Sequence, residues 1–236
     1  MTRKIKGILF DKDGTLLDFN ATWLDPYLNA STFLANSVGK PELAEVLMRE
    51  GGFNAQTNTW ETDSLLASGS NDQIFDFWSE KIDRLIDDEM KAGLRKIFSH
   101  AAHHYVPAIS DMADYLMRLK SKGITLGIAT MDDERHAQGM LEKLTIKQYF
   151  DFVCGADSGY GVKPEPGMVL AFCEQCHLSP TDIYMVGDSP KDLNMGRNAG
   201  VAESIGVLTG AHGRVELEQY ADRVLNNIGE IERLLG

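Results

Sequence analysis

At 236 residues the chain can form one large domain or two small ones, and 43% hydrophobic with 25% charged residues is the balance of a soluble globular protein, which sets disorder aside. Its 23 basic against 35 acidic residues give a formal net charge of −12, which disfavours nucleic acid, whose binding rests on Lys and Arg neutralising phosphates. No apolar run is long enough to span a bilayer, and the basic start meets an apolar stretch that Asp11 cuts off at once, so neither a membrane segment nor an export signal is expected and the cytoplasm is the expected location. Cys154, Cys173 and Cys176 are too few, and odd in number, for a disulfide framework.

The first strand candidate is Ile5-Lys-Gly-Ile-Leu-Phe10, ending at the loop Asp11-Lys-Asp-Gly-Thr15. From about Asp18 to His104 the pattern is helical, with helices expected over 23–38, 41–49 and 73–86, breaks at Gly51-Gly52 and at 68–71, and almost no strand signal. After Pro107 strands and helices alternate. A helix from Ser110 or Asp111 to Gly123 leads to a strand over 124–129, and a helix over 134–144 to a strand over 150–154. A helix over 166–177 precedes a strand over 183–186, and a helix over 192–199 closes at Gly200. Strands at 204–208 and 223–225 and a final helix to Leu235 complete the chain.

Short apolar strands separated by helices predict an α/β fold, a central parallel sheet covered on both faces in three α/β/α layers. Roughly ninety residues between the first strand and its partners exceed any ordinary loop, which predicts a helical domain inserted after strand one. In such sheets the site lies outside the carboxyl ends of the strands. Asp11 and Asp13, two apart at the end of an extended segment, can face the same way, and Gly14 permits the tight turn that follows. Thr130 ends the second core strand, Lys163 lies in the loop after the strand at 150–154, and Asp188 and Asp192 follow a strand that runs into a Gly-Asp turn. Singly each of these is commonplace; at successive strand ends they predict a catalytic cluster.

Four ordered motifs, Asp11-Lys-Asp-Gly-Thr-Leu16, Ile128-Ala-Thr130, Val162-Lys-Pro164 and Gly187-Asp-Ser-Pro-Lys-Asp192, resemble those of the haloacid dehalogenase-like hydrolase superfamily, in particular phosphatases of the phosphoglycolate phosphatase type. The resemblance implies a Rossmann-like catalytic core at residues 1–17 and 105–236 and a helical cap at 18–104 that closes to exclude water and choose the leaving group. It implies a phosphoric monoester hydrolase in which Asp11 attacks phosphorus, forming an aspartyl phosphate, and Asp13 serves as acid and then base. Thr130 and Lys163 would hold the phosphoryl group, with Gly14 and Met131 lining the same site. A Mg²⁺ cofactor would be bound by the side chains of Asp11 and Asp188 and the backbone carbonyl of Asp13, and supported by Asp192. The implied partner is a small phosphorylated metabolite (phosphoglycolate-like, a sugar phosphate or a nucleotide), met by a monomer or homodimer.

Some residues depart from the family pattern. Lys12 is expected to point away from the metal and can be neutral in effect, and Met131-Asp132-Asp133 adds acid near a phosphate site. Thr15 is expected at most to hold the turn. Phe19, Asn20 and Trp23, directly after the catalytic loop, are candidates for the substrate chamber, while the other aromatics of the insertion are helix packing. Cys173-Glu-Gln-Cys176-His177 matches a covalent haem attachment pattern, but in an apolar helix buried cysteines are the expectation. His100, His103 and His104 lack a cysteine partner for zinc and are expected in a solvated hinge.

The rival reading nearest to a phosphatase is a β-phosphoglucomutase-like phosphomutase, which passes the phosphoryl group to a second hydroxyl. A carbon–halogen hydrolase has no need of Asp13 or the metal set. A phospho-accepting signalling receiver domain also combines acids, Thr and Lys, but is a single small domain without an insertion after strand one. A silent binding protein leaves the complete set of groups unexplained.

Overall fold

The computed structural model describes residues 4–61, 64–69, 71–101 and 105–235. In chain order β1 (Gly7–Phe10) is followed by α1 (Phe19–Ser37), α2 (Leu43–Glu50), β2 (Phe53–Asn54), β3 (Thr59–Trp60), α3 (Leu65–Ser68), α4 (Asn71–Ile82) and α5 (Asp88–Ala101). Next come α6 (Met112–Ser121), β4 (Thr125–Ala129), α7 (Glu134–Lys143), β5 (Phe152–Cys154) and α8 (Gly167–Gln175). The chain ends with β6 (Ile183–Gly187), α9 (Pro190–Ala199), β7 (Glu203–Val207), α10 (Arg214–Leu217), β8 (Arg223–Leu225) and a 3₁₀ segment, Ile228–Leu234. Two compact units result: Met1–Phe19 with Pro107–Gly236, and Asn20–Val106.

The first unit is an α/β structure around a six-stranded sheet in the order β5-β4-β1-β6-β7-β8, parallel at every pairing. From β1 the chain builds outward through β4 to β5, then crosses back to β6 and builds the other way. The strand order therefore reverses beside β1, which makes the carboxyl end of β1 the topological switch point. With this strand order the right-handed crossover rule places α6 and α7 on one face of the sheet and α8, α9 and α10 on the other. Burial on both faces explains why β1 and β6 read as unbroken apolar runs, every residue of both being buried. On the α8–α9 face, Leu9, Ala129, Ile183 and Met185 pack with Met168, Val169, Phe172, Cys173 and Met195.

The insertion leaves and returns at one place. Ala108 N donates to Leu16 O at 2.9 Å, and Leu17 bridges Pro107 in antiparallel sense. Bringing the two ends together removes the closure problem that ninety inserted residues would otherwise present to the core. The second unit packs around aromatic rings. Tyr27 meets Trp60 at 5.9 Å, Trp78 at 6.4 Å and Phe98 at 5.8 Å, all edge-on, and Trp78 stacks on Phe98.

Three details differ from the sequence reading. A short antiparallel hairpin, β2 with β3, pairs Phe53 with Trp60 where no strand was expected. It is too brief for a period-2 signal, and its two buried rings carry it. Helix α5 falls in the stretch read as helical but given no bounds of its own, because its apolar residues are sparse among charges. The expected final helix is a 3₁₀ segment anchored by Ile228 and Ile231, with Asn227 accepting from Gly229 N at 2.9 Å. Among the described residues no helix is long and apolar enough to cross a membrane.

Phe172 is fully buried against β4 and β5. Phe172→Ala should therefore cost about 3–5 kcal/mol, read as a lowered urea midpoint at unchanged slope. A cost below about 1 kcal/mol would contradict the packing described.

Candidate active site

Strand pairing assembles the site. Asp11 follows β1 and its N–H donates to Val186 O of β6 at 2.8 Å. Thr130 follows β4, its N–H donating to Cys154 O at 3.0 Å, and Asp188 follows β6. Because β4, β1 and β6 are neighbours in that order, Thr130, Asp11 and Asp188 stand side by side at their carboxyl ends. Lys163, from the loop before α8, and Asp192, in the first turn of α9, complete the group, and all five residues are buried.

Lys163 Nζ donates to Asp11 Oδ1 at 2.5 Å and to Asp192 Oδ1 at 2.6 Å. The other Asp192 oxygen accepts from Ser189 N at 3.1 Å and Ser189 Oγ at 2.6 Å, as part of the capping box that starts α9. One carboxylate thus both caps a helix and holds the lysine. Asp188 Oδ2 accepts from Ala211 N at 3.2 Å. Asp11, Asp188 and Asp192 each present an oxygen within 4.8 Å of the others.

Electrostatically the cluster is overcharged. Burial pushes the Asp11 carboxyl from 3.8 up to about 7, with Asp192 adding to the rise and Lys163 opposing it. Burial, then the charges of Asp11 and Asp192, push Asp188 well above the carboxylate range. Burial alone would lower Lys163, but the two carboxylates beside it raise it, so it stays charged. Three buried acids against one ammonium leave excess negative charge among oxygen donors only, a set that fits a hard divalent cation.

Asp13 is half-buried, and Met131 beside Thr130 is half-buried too. The Thr130 hydroxyl accepts from Asp132 N at 3.1 Å. Gly14 has φ +82°, and a Cβ there would stand 2.5 Å from Asp188 Oδ2, so only glycine lets the loop after β1 pass this close. Sequence reasoning missed the segment that clasps the loop: Thr209 Oγ1 donates to Gly14 O at 2.7 Å, and Gly210 lies against the Asp188 carboxylate. The available signal was the small-residue run Thr209-Gly-Ala211 directly after a strand.

Lys12 is not a bystander, for it contacts two acids outside the Asp11, Asp188 and Asp192 cluster. Its side chain is fully buried, with Nζ 2.5 Å from Asp13 Oδ2 and 3.3 Å from Asp132 Oδ2. The extra acid at Asp132 is accordingly compensated, and His136 Nδ1 lies 3.0 Å from its other oxygen. Thr15 does not hold the turn, since its buried hydroxyl has no hydrogen-bond partner among the described residues. Asn20 Oδ1 accepts from Trp60 Nε1 at 2.5 Å, and Trp23 packs on Tyr27 and Phe98, while Phe19 is buried. Cys173 is buried on α8, where burial pushes its thiol to about 11, and Cys176 sits at the helix's carboxyl end. His103 and His104 lie outside the described residues, as does the His100 side chain.

Fold and site together define a doubly wound α/β protein with a buried carboxylate–lysine centre at its switch point. Residues 8–207 match the family model described as haloacid dehalogenase-like hydrolase. The chain is 28% identical over 237 residues to the phosphoglycolate phosphatase of Vibrio vulnificus (strain CMCP6), covering 97% of this chain and 95% of that protein. It is also 28% identical over 234 residues to the pyrophosphatase PpaX of Bacillus mycoides (strain KBAB4), covering 98% and 97%. Its fold is similar to the crystal structure of a HAD phosphatase from Thermococcus onnurineus, with TM-score 0.69 and 22% identity over 98% of both chains. The chain belongs to the haloacid dehalogenase-like hydrolase family and is an enzyme of that kind.

Burial works against the Asp132 charge, but the His136 hydrogen bond and then Lys12 win, lowering its carboxyl from 3.8 to about 2. A depressed carboxylate stabilises the fold above its unfolded value and loses that contribution as pH falls through the folded one. Asp132→Asn should cost about 2 kcal/mol near neutrality, with the deficit shrinking as pH falls below about 4. Urea melts of both proteins at several pH values read this; a deficit that does not vary with pH would contradict it.

Proposed function

We propose that the chain is a magnesium-dependent phosphatase of a small phosphorylated metabolite, acting through an aspartyl phosphate on Asp11. The observation that carries this reading is the buried Asp11–Lys163–Asp192 arrangement with Asp188 alongside. An Asp11 oxygen attacks phosphorus, the ester P–O bond breaks, and Asp13 gives its proton to the leaving oxygen. A water then attacks phosphorus and yields a proton to Asp13, and the P–O bond to Asp11 breaks, freeing phosphate and the carboxylate.

Thr130 has its hydrogen to offer a phosphoryl oxygen, while Lys163 sets a positive charge beside both nucleophile and transferring group. Gly14 and Met131 border the same position. The side chains of Asp11 and Asp188 and the carbonyl of Asp13 would hold Mg²⁺, with Asp192 supporting it directly or through water. When bound, the ion supplies positive charge that offsets the carboxylates and the phosphate dianion.

The substrate belongs among phosphoglycolate-like esters, sugar phosphates and nucleotides, a range supported by relatives named for phosphoglycolate and pyrophosphate. We assign catalysis to residues 1–17 and 105–236 and choice of the leaving group to a cap at 18–104. The enzyme is read as cytoplasmic, a monomer or homodimer, without nucleic-acid or membrane partners.

Phosphate release from an aryl phosphate, and from a panel of these metabolites with pyrophosphate included, should require Mg²⁺ and vanish in Asp11→Asn; turnover without metal, or in that variant, would overturn the mechanism. A raised carboxyl pKa favours the protonated fold, so the metal-free protein should lose stability as pH rises from about 4 through about 7. Cation binding needs the ionised carboxylates, so millimolar Mg²⁺ should raise the melting temperature more at pH 8 than at pH 5, and an equal shift would count against this site.

A further inference from the structure

Besides the Lys163 pair, the end of β1 carries a second buried lysine between two acids. Lys12 is fully enclosed, its Nζ 2.5 Å from Asp13 and 3.3 Å from Asp132. Asp132 is itself fixed, for its N–H donates to Thr130 Oγ1 at 3.1 Å and its carboxylate meets His136 at 3.0 Å. A continuous set of polar contacts therefore joins the Asp13 side chain to the loop after β4. Desolvating an ammonium is costly, and a lysine at an indifferent position would extend to water. The sequence instead carries a cation at 12 and an acid at 132, each of which the other accommodates.

We propose that Lys12 is a positioning residue that holds the Asp13 carboxylate in its working orientation and ties it, through Asp132, to the Thr130 loop. The proposal rests on the reading of Asp13 as the proton-transfer group. Lys163 fixes the nucleophile on one side; Lys12 does the same for its partner two residues on. A carboxyl group that must meet the leaving oxygen and afterwards a water needs a fixed direction, because a misplacement of about 1 Å in such a group costs on the order of 100-fold in rate.

Removing Lys12 alone leaves Asp13 and Asp132 repelling each other, so Lys12→Met confounds positioning with folding. The deciding protein is the double variant Lys12→Met/Asp132→Asn, which removes the lysine and its counter-charge together. Its melting temperature should recover most of what Lys12→Met loses, while kcat stays about 10- to 100-fold below that of the parent at nearly unchanged KM. Lys12→Arg, which keeps a cation in reach, should lie between the two. A double variant that regains parental kcat along with its stability would make Lys12 a charge-balancing residue only and overturn the proposal.

Crystal structures of the parent and the double variant supply a readout independent of any substrate. The Asp13 carboxylate should turn away from its parental rotamer, and an unchanged rotamer would overturn the proposal whether or not phosphate is released. Loss of the phosphatase reading itself is seen separately, as turnover that survives Asp11→Asn.

Discussion

The structure depends on the ammonium of Lys163 standing between Asp11 and Asp192. These contacts join residues 152 and 29 positions apart in the chain, so they form only once β1, the loop before α8 and the start of α9 have come together. A buried ion pair of this kind repays its desolvation only with good geometry and with its remaining lone pairs satisfied. Both conditions are met at Asp192, whose second oxygen takes two donors from Ser189. The helix cap, Lys163, Asp11 and Asp192 are one hydrogen-bonded unit, which holds the nucleophile in a fixed place.

That rigidity explains how a long insertion can directly follow the loop carrying Asp11 and Asp13. Hydrogen bonding of Ala108 to Leu16 closes the core at the two ends of the insertion, and the pairing of Leu17 with Pro107 does the same. The inserted unit has its own packing, with Tyr27, Trp60, Trp78 and Phe98 against one another.

Much of this was legible in the sequence because the relevant signals are local. Strands buried on both faces appear as apolar runs, and their carboxyl ends coincide with Asp11, Thr130 and Asp188. What was not legible depends on contacts between distant segments. Nothing local to Lys12 announces that its ammonium meets Asp132, and the Thr209–Ala211 segment carries no charge, acting through a hydroxyl and backbone groups. The β2–β3 hairpin is two residues a side and depends on Phe53 meeting Trp60, a pairing that periodicity does not register.

A chain of net charge −12 that acts on anions must recognise them at short range. Surface carboxylates more than about 8–10 Å away are screened at physiological salt, whereas groups inside the site are not. The electrostatics that a phosphate meets are therefore those of the switch point, where Lys163 and Lys12 are both enclosed by protein. Each lysine is paired with acids, so the ammonium groups alone leave the centre negative. A divalent cation held among Asp11, Asp188 and Asp192 would offset that charge and make the pocket less repulsive to a dianion. Affinity for a phosphate ester would then be coupled to occupancy by the cation, so that an acidic protein needs no long-range basic field to select it.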